Sequence, residues 1–155
     1  MTVKRKVYIT VSWALVIACM GVIFWLSSRT ATDSSEMSSS LIDRILTIFG
    51  IKFSSFFIRK TAHFLEFTGL AVLTFNAYYA TFRRAATPVS FIITVLYAVS
   101  DEVHQIFVEG RACQLRDVLI DSGGALLGIV ISLILLKIIK SVIERRNKNG
   151  SIKTV

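Results

Sequence analysis

The first long apolar segment of the chain decides its fold. Residues 7–27 read VYITVSWALVIACMGVIFWLS, 21 residues without a charged side chain. At a rise of about 1.5 Å per residue, a helix of this length crosses the hydrocarbon core of a bilayer, which is about 30 Å thick. The run is longer than the apolar core of a cleaved signal peptide, so we predict an uncleaved membrane anchor.

The composition of the whole chain agrees with a membrane protein. Of its 155 residues, 54% are hydrophobic and only 18% are charged, whereas soluble domains average about 25% charged residues. These values exclude a disordered chain. The net charge of +8 is typical of Lys and Arg that flank membrane spans. The basic residues form no stripe with aromatic residues, so we expect no nucleic-acid partner.

Three further apolar segments predict three more helices. They cover residues 61–82, 88–108 and 118–136, and each is long enough to span a bilayer. We therefore predict an all-α membrane protein that forms one domain, residues 1–155, built as a four-transmembrane-helix bundle. A basic tail, residues 137–155, follows the last span.

The basic residues predict the orientation of the bundle. Lys4, Arg5 and Lys6 precede the first span, Arg83 and Arg84 lie in a tight turn between the second and third, and the basic tail follows the fourth. All of these lie on one side of the membrane if both termini are cytoplasmic. Because cytoplasmic loops are enriched in Lys and Arg, we predict this N-in/C-in topology.

The first outer loop is the longest. Residues 27–40 contain seven serines, which predicts an exposed coil. Apolar residues then recur at helical spacing through residues 41–49. We predict a short amphipathic helix there, lying on the outer membrane surface or packed against the bundle.

Ionisable residues within or beside the spans are concentrated in the outer half of the membrane. Such residues are costly in a bilayer and are functional-site candidates. We predict that they form a binding site in which some of the opposite charges pair with one another. The residues are Lys60, His63, Glu66, Asp101, Glu102, Arg111, Asp117 and Asp121, together with the polar but uncharged Gln105.

Helical spacing places several of these side chains on shared faces. Lys60, His63 and Glu66 lie three residues apart and stack on one face of their helix. One stripe of the last span carries Asp117, Asp121, Gly124 and Gly128. The two glycines form a small-xxx-small pattern that allows close helix packing.

The candidate site admits more than one interpretation. Glu66, Asp101, Glu102 and His63 could act as acid–base catalysts on a lipid-linked or cell-wall glycan, with Arg111 holding its phosphate or carboxylate. Alternatively, the charges form an ion-pair network that only holds the helices together. His63-x-x-Glu66 reverses the order of the di-iron helix motif and is not repeated, so we predict no metal and no cofactor.

Three segments resemble the VanZ-like family of bacterial membrane proteins. They read RKTAHFLEFTGL at residues 59–70, DEVHQIFVEGR at 101–111 and RDVLIDSGGALLG at 116–128. The Ser27-Ser28 exit from the first span is a further shared feature. The sequence departs from the family pattern at Asp121, where Asn is common, and at Glu109, where Pro is common.

The resemblance implies a multi-pass protein of the bacterial cell membrane. The family's namesake is an accessory protein of teicoplanin resistance, so the resemblance implies a role in glycopeptide resistance or in the cell envelope. Membrane lipid and a lipoglycopeptide or lipid-linked cell-wall ligand are the partners that this role implies. An outer-leaflet enzyme and a purely structural polar cluster remain the alternatives.

Overall fold

The computed structural model describes residues 2–30, 55–84, 86–111 and 113–152. Within these segments the chain forms helices and no strand: α1 (Val3–Ser27), α2 (Ser55–Phe82), α3 (Ala86–Gln105) and α4 (Leu115–Ile152). The all-α prediction is confirmed for this part of the chain. The amphipathic helix predicted over residues 41–49 lies outside the described residues.

Three of the helices are long and apolar enough to cross a membrane. They are α1, α3 and the Leu115–Lys148 part of α4. The 28 residues of α2 are also enough to span a bilayer, but its most apolar stretch is less apolar than those of the other three helices. The chain is therefore a membrane protein with three evident membrane helices and a fourth, more polar helix.

Two helices end at other residues than the membrane spans that the sequence predicts. α4 does not stop at residue 136 but continues to Ile152, because Lys, Arg, Glu and Ile sustain a helix and residues 137–149 contain no glycine. Conversely, α3 ends at Gln105 instead of residue 108. The amides of Ile106, Phe107 and Val108 bond to carbonyls three residues back, which is the geometry of a turn.

The Arg83-Arg84 connection is the predicted tight turn. The Arg83 amide donates to the carbonyl of Tyr79 at 2.9 Å, and Arg83 has a left-handed backbone with φ 63°. Pro88 lies in the first turn of α3, where its missing N–H breaks no helical hydrogen bond. So short a connection makes α2 and α3 antiparallel neighbours.

α2 is the central helix and packs against the other three. Phe67 and Ala77 of α2 are completely buried against Val16 and Ile23 of α1 and Ala98 of α3. The outward faces of α1 and α4 instead expose large aliphatic side chains. Such continuous apolar surfaces suit contact with lipid chains, not water.

Polar contacts fix α1 to α2 at the end of the bundle that carries the Arg83 turn. Tyr8 Oη donates to Asn76 Oδ1 at 2.7 Å, and Asn76 Nδ2 donates to Ser12 Oγ at 3.3 Å. Arg5 Nη2 donates to the carbonyl of Ala80 at 3.3 Å, where a cation complements the negative end of the α2 dipole.

Two glycines let α4 contact the backbone of α2 directly. A Cβ atom at Gly124 would lie 2.3 Å from the Phe64 carbonyl oxygen, and one at Gly128 would lie 2.4 Å from the Thr68 carbonyl oxygen. Thr68 Oγ1 also donates to the Gly124 carbonyl at 3.0 Å. This close approach sets the register of the two parallel helices.

We therefore expect Gly124→Ala and Gly128→Ala each to destabilise the protein. The added methyl group forces α2 and α4 apart, and overpacking of this kind costs about 1–3 kcal/mol or more. Thermal unfolding of the detergent-purified variants measures the effect.

Gly123→Ala is the matched control for this prediction. A Cβ there would lie 3.5 Å from the Phe64 ring, an ordinary contact, and replacing a helical glycine by alanine is favourable by up to about 1 kcal/mol. Equal loss of stability in all three variants would contradict the close-contact explanation.

Candidate functional site

A polar cluster lies where the C-terminal ends of α1 and α3 meet the N-terminal ends of α2 and α4. Contacts between these helix ends include Ser27–Asp101 and Lys60–Asp117. The polar cluster consists of Lys60, His63, Glu66, Asp101, Glu102, Gln105, Arg111, Asp117 and Asp121. The structure brings all of these sequence-selected residues to one end of the bundle.

Asp101 of α3 is held by two hydrogen-bond donors from within the bundle. Its Oδ2 atom accepts Ser27 Oγ from α1 at 2.8 Å and Gln105 Nε2 at 3.0 Å. The side chain is 2% exposed, and its buried Oδ1 atom has no hydrogen-bond partner among the described residues. Asp101 thus faces α1 and ties the first helix to the third.

Lys60 and Asp117 form an ion pair between α2 and α4. Their side chains are only 15% and 10% exposed, so water screens the pair much less than it screens a surface ion pair. The second carboxylate oxygen of Asp117 is buried and accepts no hydrogen bond within the described part of the chain.

Glu102 fixes the loop between α3 and α4. The carboxylate is buried, and Oε2 accepts the backbone amide of Gln114 at 3.0 Å. Gly110 in the same loop has a φ of 74°, a left-handed conformation that glycine adopts without strain. The loop therefore turns back sharply and holds Arg111 against the polar cluster.

Arg111 is the cation that this loop contributes. Burial, and next the charge of Arg59, lower the pKa of its guanidinium group, while Asp101, Glu102 and Glu66 raise it. The guanidinium group remains protonated because its unperturbed pKa is far above neutrality.

His63 and Glu66 stand side by side on α2 without a hydrogen bond between them. His63 Nδ1 lies 3.6 Å from Glu66 Oε2, which is beyond hydrogen-bond distance. Both atoms are buried and have no other hydrogen-bond partner among the described residues. The pair is close enough to exchange a proton after a small side-chain movement.

A cavity of about 130 Å³ lies inside the polar cluster. It has room for several water molecules or one phosphate- or carboxylate-sized group. The cavity is lined by Arg59, Lys60, His63, Glu102, Gln105, Gly110, Arg111, Gln114, Asp117, Ile120 and Asp121. Of the predicted residues, Glu66 and Asp101 do not line it.

The lining combines cations and carboxylates, which suits a ligand that carries a charged group. Arg59, Lys60 and Arg111 supply the positive charges, and Glu102, Asp117 and Asp121 supply the negative ones. In the described segments, no group of three His, Cys, Asp or Glu residues is arranged to hold a metal ion.

Sequence reasoning did not select several residues that the structure places at this site. Ser27 binds Asp101, Gln114 binds Glu102 through its backbone, and Arg59 lines the cavity. The Ser27-Ser28 exit from the first span was the one available signal. His104 lies outside the cavity, stacks on Phe24 with ring centroids 4.2 Å apart and has Nε2 3.0 Å from Ser28 Oγ.

Comparison with known proteins decides the family. The family model described as VanZ/LLP1 matches residues 12–137, which include the whole polar cluster. The chain belongs to the VanZ/LLP1 family. The resemblance expected from the three sequence segments is thereby confirmed. No curated protein and no solved structure matches the chain.

The contact between Ser27 and Asp101 yields a testable prediction about this VanZ/LLP1 protein. Ser27→Ala removes one of the two donors to a buried carboxylate, and hydrogen bonds to charged groups contribute about 1.5–3 kcal/mol. We expect a loss of stability in that range, measured by thermal unfolding of the purified protein.

Ser28→Ala provides the neighbouring control. Ser28 also makes side-chain hydrogen bonds, to the Phe24 carbonyl and His104, but it is exposed, so water replaces them and the change stays within about 0.5 kcal/mol. A Ser28→Ala effect as large as that of Ser27→Ala would contradict the assigned role of Asp101.

Proposed function

We propose that this VanZ/LLP1 protein crosses the bacterial cell membrane four times, with both termini in the cytoplasm and the polar cluster at the outer face. α2 lies among three membrane helices, which leave the side chains of His63 and Glu66 only 13% and 23% exposed and so shield them from lipid. The short turn at Arg83 also leaves α2 and α3 running side by side in opposite directions. The basic residues around Lys4, Arg83 and α4 beyond residue 136 support a cytoplasmic location for the opposite end.

Cysteine labelling tests this orientation. In a Cys19→Ser, Cys113→Ser background, a cysteine at Gln114 should react with a membrane-impermeant maleimide in intact cells. A cysteine at Arg84 should react only after the cells are permeabilised. The opposite pattern would place the polar cluster on the cytoplasmic side and overturn the proposed topology.

The function that the geometry supports best is recognition of a charged group on an envelope ligand, through which the protein lowers the action of teicoplanin-type lipoglycopeptides. One observation carries this proposal: the cavity of about 130 Å³ with cations and carboxylates facing each other. An ion-pair network that only holds the helices together needs one or two ion pairs and no open space. The cavity is instead large enough for one ionic group, and its lining side chains provide donors and acceptors for it.

Drug susceptibility of a sensitive host tests the proposal. Expression of the wild-type protein should raise the inhibitory concentration of teicoplanin more than that of vancomycin, which lacks the lipid chain. Arg111→Gln should abolish most of this effect, because losing one charge-assisted contact weakens binding about tenfold.

Arg84→Gln is the control, because it removes a cation at the opposite end of the bundle. Full teicoplanin protection by well-inserted Arg111→Gln protein would contradict the proposed role of the cavity. A variant that merely reduced the amount of membrane-inserted protein would indicate a structural role for Arg111, and immunoblotting of the membrane fraction detects that outcome.

A second candidate function is acid–base catalysis on a lipid-linked or cell-wall glycan. The observation that favours it is the 3.6 Å approach of His63 Nδ1 to Glu66 Oε2, beside a cavity that His63 lines. The same susceptibility assay on Glu66→Gln separates the two functions. Catalysis requires that this variant lose all protection, whereas simple binding leaves protection largely intact because Glu66 does not line the cavity.

A further inference from the structure

A groove on the outside of the bundle adjoins the polar cavity. It has a volume of about 300 Å³, lies between the N-terminal parts of α2 and α4, and is lined by Phe57, Lys60, Thr61, Phe64, Arg116 and Ile120. Lys60 and Ile120 line both the groove and the cavity. The two spaces are therefore neighbours.

The groove is basic at the level of the Lys60–Asp117 ion pair and apolar about one helical turn further into the bundle. Lys60 and Arg116 come from facing helices at the level of the Lys60–Asp117 ion pair. Phe64 and Ile120 lie about one turn further into the bundle. This order, two cations followed by apolar walls along the helix axes, complements an anionic headgroup joined to a hydrocarbon chain.

Three of the six residues that line the groove are exposed. Phe57 is 54% exposed, and Thr61 and Arg116 are also exposed. Leu119, on the neighbouring surface of the membrane helix α4, is 65% exposed. A molecule in the groove therefore lies on the lipid-facing surface, where bilayer lipid is the surrounding medium.

We propose that this groove binds an anionic glycerophospholipid, with its phosphate between Lys60 and Arg116 and one acyl chain against Phe64 and Ile120. The Lys60 ammonium group has three N–H donors, which can serve Asp117 on one side and a phosphate oxygen on the other. Arg116 provides the planar, bidentate donor geometry that phosphate oxygens accept. The inference goes beyond the proposed function, because neither Arg116 nor Phe57 lines the cavity.

Native mass spectrometry of the detergent-purified full-length protein tests the proposal. The probes are phosphatidylglycerol, diacylglycerol with the same acyl chains, and inorganic phosphate. We expect phosphatidylglycerol adducts in preference to diacylglycerol adducts, and no displacement of phosphatidylglycerol by inorganic phosphate at equal concentration. Arg116→Gln should weaken phosphatidylglycerol binding about tenfold, and Phe64→Ala should weaken it as well.

Arg145→Gln is the matched control, since it removes an exposed cation from the far end of α4 and should leave binding unchanged. Equal adduct formation by wild-type and Arg116→Gln protein would overturn the proposal, and so would equal binding of diacylglycerol. Displacement by inorganic phosphate would also overturn it, by showing a site for free anions.

Arg111→Gln separates this inference from the proposed function. It alters the cavity alone, so phosphatidylglycerol binding should persist in this variant even where teicoplanin protection is lost. Loss of lipid binding in Arg111→Gln as well as in Arg116→Gln would show that the cavity and the groove are one site, which would overturn the separate assignment of the groove.

Discussion

The direct backbone contact between α2 and α4 is the constraint on which the rest of the structure depends. At Gly124 and Gly128 the two helices approach so closely that no Cβ atom fits between them. The hydrogen bond from Thr68 to the Gly124 carbonyl fixes their relative height. With that register, Lys60 of α2 and Asp117 of α4 lie at the same level and form their ion pair. The cavity and the groove both lie beside this pair, because both are bounded by Lys60.

Burying the carboxylates of the polar cluster costs free energy, because their hydrogen bonding is incomplete. Asp101 and Asp117 each keep one buried carboxylate oxygen without a hydrogen-bond partner among the described residues. Removing such groups from water costs several kcal/mol unless they are fully paired. Well-packed apolar residues at these positions would hold the helices together at lower cost. The proposed recognition of a charged ligand would account for partly satisfied charges near an open cavity.

The sequence was sufficient to predict the helices and helix faces that follow from apolar length and regular residue spacing. Apolar length predicted the helices, and the four-residue spacing of Asp117 and Asp121 predicted the face that meets α2. The sequence was not sufficient where a contact depends on a backbone amide or a common residue type, because neither has a distinctive sequence pattern. The amide of Gln114 binds Glu102, and every residue type except proline offers the same donor. Ser27 was not selected because an uncharged serine at the end of an apolar span is common.

The C-terminal end of α4 shows a second limit of prediction from the sequence. The basic composition after residue 136 indicated a tail, yet composition does not distinguish a tail from a helix that leaves the membrane, because Lys and Arg are good helix formers.

Continuation to Ile152 gives α4 38 residues, or about 57 Å, nearly twice the thickness of the hydrocarbon core. The apolar span of α4 can therefore be placed at only one height in the bilayer if its charges are to remain in water. Since α4 and α2 are locked in register at their glycine contact, that height also sets the depth of the cavity and the groove. In the proposed topology, the basic end of α4 would lie at the cytoplasmic surface, and the glycine contact would then hold the polar cluster at the level of the outer headgroups.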